Sequence, residues 1–211
     1  MKEIFALAIK NHQQNNLKVA ETLYKKILKE NPNHANSHNN LGVIFDQMGQ
    51  TQQAINYFNK AIEINPNYAD AYYNLGKVFN GLKELQKAIS YYEKAIQINP
   101  NYADVHNNLG LIFKDLGEHQ KAINCYKKAI QIDPNYINAY NNLGTILGEL
   151  NSIDEAKENF EKSLKLNPNN RKTYEGYGNI LLKLNQHYKA LTYIKKGTGF
   201  IKFTQEDFKI I

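Results

Sequence analysis

The chain has 211 residues, of which 42% are hydrophobic and 22% charged, which is an ordinary composition for a folded globular protein. Its single cysteine, Cys125, excludes an internal disulfide and a metal site built from several cysteines, and no stretch reaches the ~20 apolar residues of a membrane span. The net charge of +6 makes nucleic acid and anionic surfaces partners to be judged from where the charges lie.

The spacing of the prolines divides the chain into equal repeats. Pro32, Pro66, Pro100, Pro134 and Pro168 stand 34 residues apart, and a fixed period of ~20–50 residues marks a repeat array. Six repeats of this length cover residues 1–204, with bounds 1–34, 35–68, 69–102, 103–136, 137–170 and 171–204. Residues 205–211 are left as a short tail, which is the start either of a capping helix or of a further domain.

Each repeat is predicted to form two helices. In the second repeat, Leu41 and Phe45 lie on one helical face, and Ala54 and Phe58 lie on the face of a second helix. The same residue types return at these positions in the other repeats. The predicted helices, in chain order, are 2–14, 17–30, 35–48, 52–65, 69–82, 86–99, 103–116, 120–133, 137–150, 154–167, 171–184 and 188–198.

Two kinds of turn separate these helices. Within a repeat the turn falls on a residue type that tolerates the left-handed conformation, with Lys83 as the exception. The tolerant residues are Asn15, Gly49, Gly117, Asn151 and Asn185. Between repeats, a run such as Asn65-Pro66-Asn67 ends the second helix because proline cannot continue it. The asparagine after the proline is predicted to cap the next helix.

The pattern resembles the tetratricopeptide repeat (TPR), whose 34-residue unit carries leucine–glycine, alanine, aromatic and proline positions in this order. The leucine–glycine pairs end at Gly42, Gly76, Gly110 and Gly144, and departures lie in the terminal repeats, as at Ala8. The resemblance implies an all-α fold, a right-handed superhelical α-solenoid of six helix–turn–helix repeats. It also implies that the first helices of the repeats line a concave groove.

The sequence contains no constellation of residues that predicts catalysis. It has no phosphate-binding glycine loop and no nucleophile-elbow serine. His34 and His38 are four residues apart but straddle a turn, so packing is preferred to metal binding as their role. We therefore predict a protein that is not an enzyme and that needs no metal or cofactor. The lone cysteine and the lack of a recognisable secretory signal favour a cytoplasmic location.

One column of side chains stands out on the first helices. Asn40, Asn74, Asn108 and Asn142 each lie two residues before the glycine of their repeat, and we call them the asparagine ladder. A carboxamide offers two donors and an acceptor, which suits the N–H and C=O groups of an extended peptide. The ladder is similar to that in the TPR superhelix of O-linked N-acetylglucosamine transferase, and this resemblance implies binding of polypeptide backbone. The alternative is that these asparagines only bridge adjacent repeats.

Other first-helix residues are predicted to face the same groove. The candidate peptide-binding set adds Asn36, Asn39, Asp70, Tyr73, Lys77, Asp104, Asn107, Lys114, Asn138 and Asn141. Over the whole predicted groove, six acidic residues outnumber four basic ones: Asp46, Asp70, Asp104, Asp115, Glu149 and Glu175 against Lys77, Lys114, Lys172 and Lys183. A phosphate backbone therefore finds no continuous basic track, and nucleic acid is disfavoured as a partner. In the first repeat, Phe5 and Ile9 occupy groove positions and form a candidate apolar pocket for a ligand anchor. The alternative is that the terminal helix packs these two side chains on itself.

The leading functional prediction is a non-catalytic scaffold for protein–protein interaction, which binds an extended polypeptide segment in its concave groove. One alternative is the substrate-recognition arm of a larger enzyme, for example a glycosyltransferase, whose catalytic domain is absent from this chain. The other is a structural array that self-associates through its terminal repeats.

Overall fold

The computed structural model describes residues 1–199, so the end of the sixth repeat and the predicted tail, residues 205–211, lie outside the described residues. Residues 1–199 contain twelve α-helices and no strand. The helices are α1 (Lys2–Gln13), α2 (Leu17–Glu30), α3 (Ala35–Gln47), α4 (Thr51–Ile64), α5 (Ala69–Gly81), α6 (Leu85–Ile98), α7 (Ala103–Asp115), α8 (His119–Ile132), α9 (Ile137–Glu149), α10 (Ile153–Leu166), α11 (Arg171–Lys183) and α12 (His187–Thr198). Every predicted helix is present, and each bound agrees with the prediction to within one residue.

Consecutive helices pack in pairs, and each pair coincides with one 34-residue repeat. Helix α1 packs on α2, α3 on α4, α5 on α6, α9 on α10 and α11 on α12. The predicted all-α, helix–turn–helix architecture is thereby confirmed. Met1–Val105 forms one compact body, and a second begins at His106; we call them the N-terminal and the C-terminal body. None of the helices in residues 1–199 has the length and apolar character that a membrane crossing demands.

The core of a helix pair places a glycine of the first helix beneath an aromatic ring of the second. Gly76 lies so close to the fully buried Tyr92 that a Cβ on the glycine would stand 2.5 Å from the ring. Gly42 approaches Phe58 in the same way. The leucine–glycine and aromatic positions of the repeat therefore set how closely the two helices approach.

The turn inside each repeat is left-handed. The backbone has a positive φ at Asn15, Gly49, Lys83, Gly117, Asn151 and Asn185. Lys83 has a φ of 62°, close to the 72° of Gly49. The lysine that the sequence marks as an exception therefore adopts the same conformation as the asparagines and glycines.

The Asn-Pro-Asn run ends a helix through the asparagine before the proline. Asn65 is the extended C-cap of α4, and its Oδ1 accepts a hydrogen bond from the backbone N–H of Asn67 at 3.1 Å. The same bond recurs at Asn31, Asn99, Asp133 and Asn167. The prediction that the second asparagine caps the next helix is wrong, because the N-cap is the residue after it. Tyr68 precedes α5, and His34 precedes α3 with its Nδ1 accepting from Ser37 N–H.

Candidate functional site

The asparagine ladder lies half-buried along the first helices, and Asn40, Asn74 and Asn142 bond to residues of the preceding repeat. Asn74 Nδ2 donates to Asn39 Oδ1 at 3.0 Å, and Asn142 Nδ2 donates to Asn107 Oδ1 at 2.9 Å. Asn40 Nδ2 donates instead to the hydroxyl of Tyr24 on α2, at 3.1 Å. Bridging between repeats is therefore a feature of the structure, and each bridge uses one N–H of the ladder amide.

The asparagines that accept these bonds are buried. Asn39 and Asn107 are each 5% exposed, and Asn141 is 7% exposed. The sequence assigned all three to the peptide-binding set, but they have little surface for a ligand to touch. Their oxygens instead orient the ladder, because Asn39 and Asn107 each fix one N–H of the next ladder amide.

Asn141 has a different partner because the next repeat carries Gly176 at the ladder position. The hydroxyl of Thr173 donates to Asn141 Oδ1 at 2.8 Å, and Ser163 Oγ lies 2.8 Å from the same hydroxyl. Since Thr173 has only one hydroxyl proton, Ser163 is the donor of the second bond. This buried chain links repeat 5 to repeat 6 without a ladder asparagine.

Three of the predicted groove residues come together in a cluster within the N-terminal body. The hydroxyl of Tyr102 donates to Asp70 Oδ1 at 2.8 Å, and the rings of Tyr102 and Tyr73 have centroids 5.0 Å apart. Lys77 Nζ lies 5.7 Å from the centroid of the Tyr73 ring. Burial raises the pKa of Tyr102, and the hydrogen bond to Asp70 adds to the increase. The cluster offers an aromatic surface beside one acidic and one basic group.

The other predicted groove residues are exposed or partly exposed to solvent. Asn36, Asp104 and Asn138 are exposed, each being the second residue of its helix. Lys114 is partly buried, and its Nζ pairs with Glu149 Oε1 at 2.8 Å. The acidic and basic side chains that the sequence placed in the groove therefore partly neutralise each other.

A pocket of about 570 Å³ opens between α1, α2 and α3, and we call it the first pocket. It is lined by Ile9, His12, Gln13, Asn15, Tyr24, Asn40 and Gln47. His12 Nε2 donates to Gln47 Oε1 at 3.2 Å, a contact between repeats 1 and 2. Phe5 is not one of the lining residues; its ring packs edge-on against Tyr24 and His34. Of the two residues predicted to form an apolar pocket, only Ile9 lines this one, and its neighbours are mostly polar.

The equivalent positions in the C-terminal body carry an ion pair. Lys114 and Glu149 stand three repeats after His12 and Gln47, and they form the ion pair described above. Tyr126 stands three repeats after Tyr24 and is fully buried, and its hydroxyl has no hydrogen-bond partner among the described atoms. Burial raises the pKa of Tyr126, with the negative charges of Asp115 and Glu149 adding to the effect.

Sequence reasoning missed two tyrosines that lie outside the first helices. Tyr24 reaches the ladder from α2, and Tyr102 reaches Asp70 from the turn before α7. The sequence carried one usable signal: contacts between repeats join residues 35 positions apart, as in His12–Gln47, Asn39–Asn74 and Lys114–Glu149. These pairs are found by comparing each residue with the one 35 positions later, that is, one repeat and one residue further along the chain.

Paired helices in 34-residue repeats, with a polar column along the first helices, define a helical-repeat scaffold. The family described as Tetratricopeptide repeat matches residues 35–68, 69–102 and 137–170, a second of the same description matches 91–124, and one described as TPR repeat matches 110–151. The crystal structure of MamA is 34% identical to this chain, covering 75% of it and 93% of MamA, with a TM-score of 0.66. The chain belongs to the tetratricopeptide repeat family.

Other solved structures share the fold. The pilF structure from Pseudomonas aeruginosa is 29% identical, covers 81% of this chain and 78% of pilF, and has a TM-score of 0.73. YrrB, described as a TPR protein with an unusual peptide-binding site, is 22% identical over 83% of this chain and 91% of YrrB, with a TM-score of 0.67. At that identity YrrB supports the fold alone. No curated protein matches the chain.

Proposed function

We propose that this protein is a non-catalytic, cytoplasmic scaffold that binds an extended polypeptide segment along the face of its first helices. The observation that supports this most strongly is the orientation of the ladder. Asn74 and Asn142 are each held by one hydrogen bond from one N–H, at 3.0 and 2.9 Å. A carboxamide has a second N–H and an accepting oxygen, which match the C=O and N–H of a peptide main chain.

The ladder is held in place before a ligand arrives. A side chain that is already fixed by its neighbours loses less conformational entropy on binding than a free one does. Asn40, Asn74 and Asn142 are half-buried and bonded to Tyr24, Asn39 and Asn107, respectively. The same bonds that join the repeats therefore reduce the cost of binding a peptide.

The spacing of the ladder suits an extended chain. Packed helices lie ~8–10 Å apart, and an extended strand advances ~3.3 Å per residue, so one rung serves about three peptide residues. Because the rungs would contact main-chain groups, binding would depend only weakly on the ligand sequence. Selectivity would then come from neighbouring side chains such as Asp70, Tyr73 and Lys77.

The charges favour polypeptide over nucleic acid. Lys114 is paired with Glu149, and Lys77 lies over the ring of Tyr73. A phosphate backbone binds through a continuous row of unneutralised lysines and arginines, and these two lysines already have partners within the protein. An enzyme that used this chain as a substrate-recognition arm would use the same face, so one binding experiment tests both versions of the function.

A random library of twelve-residue peptides displayed on phage tests the proposal, with calorimetry on the enriched peptides. We expect enriched peptides that bind the wild-type protein and bind the variant Asn74→Ala about fivefold more weakly. The reason is that each rung supplies a net hydrogen-bond contribution of about 1 kcal/mol.

The matched control is Asn39→Ala, which breaks the same contact between repeats but keeps the ladder amide of Asn74. It should lose as much thermal stability as the ladder variant and much less affinity. Equal losses of affinity in the two variants would show that the ladder has only a structural role. Failure to enrich any peptide would refute the proposed function itself.

A further inference from the structure

The first pocket combines donors and acceptors without a permanent charge. The seven described residues that line it include four carboxamides, one imidazole, one phenol and one aliphatic side chain, and none is Asp, Glu, Lys or Arg. Its volume of about 570 Å³ lies within the ~300–1,000 Å³ range of typical ligand sites. It therefore has room for one side chain of a peptide together with part of its main chain.

Two hydrogen bonds arrange the polar groups of the first pocket. The fully buried Tyr24 accepts from Asn40 Nδ2 at 3.1 Å, and His12 Nε2 donates to Gln47 Oε1 at 3.2 Å. The first bond uses one N–H of Asn40 and leaves its second N–H as a donor, and the second bond leaves the amide N–H groups of Gln47 as donors. The oxygens of Asn40 and Gln47 are acceptors, so the pocket presents both kinds of group.

These groups discriminate between ligand side chains by elementary electrostatics. A carboxylate or an ammonium group would lose hydration without meeting an opposite fixed charge, which is unfavourable. An aliphatic side chain would leave the polar groups of the pocket without partners, which is also unfavourable. A carboxamide carries donors and an acceptor on one neutral group, so it satisfies both requirements.

The C-terminal body shows that the same slot can be built differently. It keeps the tyrosine and the ladder asparagine, as Tyr126 and Asn142, but it replaces the His12–Gln47 pair by Lys114 and Glu149, 2.8 Å apart. An ion pair of this kind offers charged groups that already satisfy each other. The neutral pair in the first pocket is therefore not a requirement of the repeat, and the ligand-facing chemistry of the two slots differs.

We infer that the first pocket is a subsite for a carboxamide side chain, asparagine or glutamine, of the bound polypeptide. This inference rests on the proposed function and adds side-chain selectivity to it. The ladder would bind the main chain of the polypeptide ligand. The first pocket would select which ligand side chain binds between α1, α2 and α3.

Three small compounds with the same two main-chain amides test the subsite: N-acetylglutamine methylamide, N-acetylglutamate methylamide and N-acetylleucine methylamide. NMR of the side-chain amide groups follows Asn40 and Gln47, with Asn142 as a reference outside the first pocket. We expect the glutamine compound to shift Asn40 and Gln47 and to bind about tenfold more tightly than the other two, the effect of one or two neutral hydrogen bonds.

The double variant His12→Lys/Gln47→Glu imports the ion pair of the C-terminal body while keeping a contact between repeats. It should fold with unchanged helicity and lose the preference for glutamine. The matched control, Lys114→His/Glu149→Gln, alters the other slot and should keep that preference. Equal affinities for the three compounds, or no shift at Asn40 and Gln47, would overturn the subsite. The display experiment on the ladder would still decide the proposed function separately.

Discussion

At the scale of single residues, a few glycines control how closely the paired helices approach. Gly76 lies under Tyr92 and Gly110 lies under Tyr126, and in both places a Cβ would stand 2.5 Å from a ring carbon. Both rings are fully buried, so neither has space to move aside. The lack of a side chain at these two glycines is therefore required for the aromatic rings to pack against the first helices.

We expect Gly76→Ala to lower the free energy of unfolding by about 1–3 kcal/mol, because the added methyl group overpacks a closed site. This reverses the usual effect in helices, where alanine is favoured over glycine by about 1 kcal/mol. Gly81→Ala is the control, since Gly81 ends the same helix and a Cβ there meets nothing within 4 Å. Urea denaturation followed by circular dichroism measures both. Equal stability of the two variants would contradict the packing argument.

The sequence located the ladder but did not separate it from its buried neighbours. Asn39 and Asn40 are adjacent and identical in type, so periodicity assigns both to the same side of α3. In the structure Asn39 is 5% exposed, whereas Asn40 lines the first pocket. The difference in exposure between Asn39 and Asn40 depends on contacts with the neighbouring repeats. The pattern of residues within one helix carries no information about those contacts. Tyr24 was missed for the same reason, because it reaches the site from another helix.

At the scale of helices and turns, the sequence was a good guide wherever one residue type dictates the geometry. Proline and glycine positions placed the helix bounds to within one residue. The capping residue was misassigned because both flanking residues in Asn65-Pro66-Asn67 are asparagines. The structure selects Asn65, whose side chain folds over the proline turn to accept from Asn67 N–H. Such Asx turns depend on backbone geometry that composition alone does not reveal.

Lys83 is the turn residue whose conformation does not suit its type. Its φ of 62° costs a residue with a Cβ about 1–2 kcal/mol, while glycine loses about 0.5–1 kcal/mol more entropy on folding than other residues. We therefore expect Lys83→Gly to raise the free energy of unfolding by about 0.5–1 kcal/mol. Differential scanning calorimetry would detect this as a higher melting temperature.

Lys83→Ala is the control for this turn, because it removes the same side chain but keeps the strained Cβ. It should leave the melting temperature near the wild-type value. A gain of equal size in both variants would attribute the effect to the lost charge. A loss of stability in Lys83→Gly would mean that the turn tolerates a left-handed lysine without strain.

At the scale of the whole molecule, fully or partly buried tyrosines recur in both bodies and share one electrostatic property. Burial raises the pKa of Tyr24, Tyr68, Tyr102, Tyr126 and Tyr177, and the pKa of Tyr68 reaches about 12. In an unfolded chain a tyrosine has a pKa of about 10. The folded protein therefore holds these phenolic protons more tightly than the unfolded chain does.

We expect the stability of the protein to fall steeply between pH 10 and pH 12. Above the unfolded pKa of about 10 the unfolded chain releases phenolic protons that the folded state retains, so the free energy of unfolding decreases as the pH rises. For Tyr68 this contribution is complete below pH 10 and is lost as the pH approaches about 12. Thermal unfolding followed by circular dichroism, with phenolate absorbance recorded in parallel, measures the loss.

Tyr68→Phe identifies the part of this dependence that belongs to one residue. The variant lacks the phenol, so its melting temperature should fall less steeply across the same pH interval, whatever its stability at neutral pH. Identical slopes for the variant and the wild type would exclude Tyr68 as a source. A melting temperature that stays constant from pH 10 to pH 12 would show that the phenols are as accessible in the folded protein as in the unfolded chain. Because the affected tyrosines lie in both bodies, each body should lose stability under alkaline conditions.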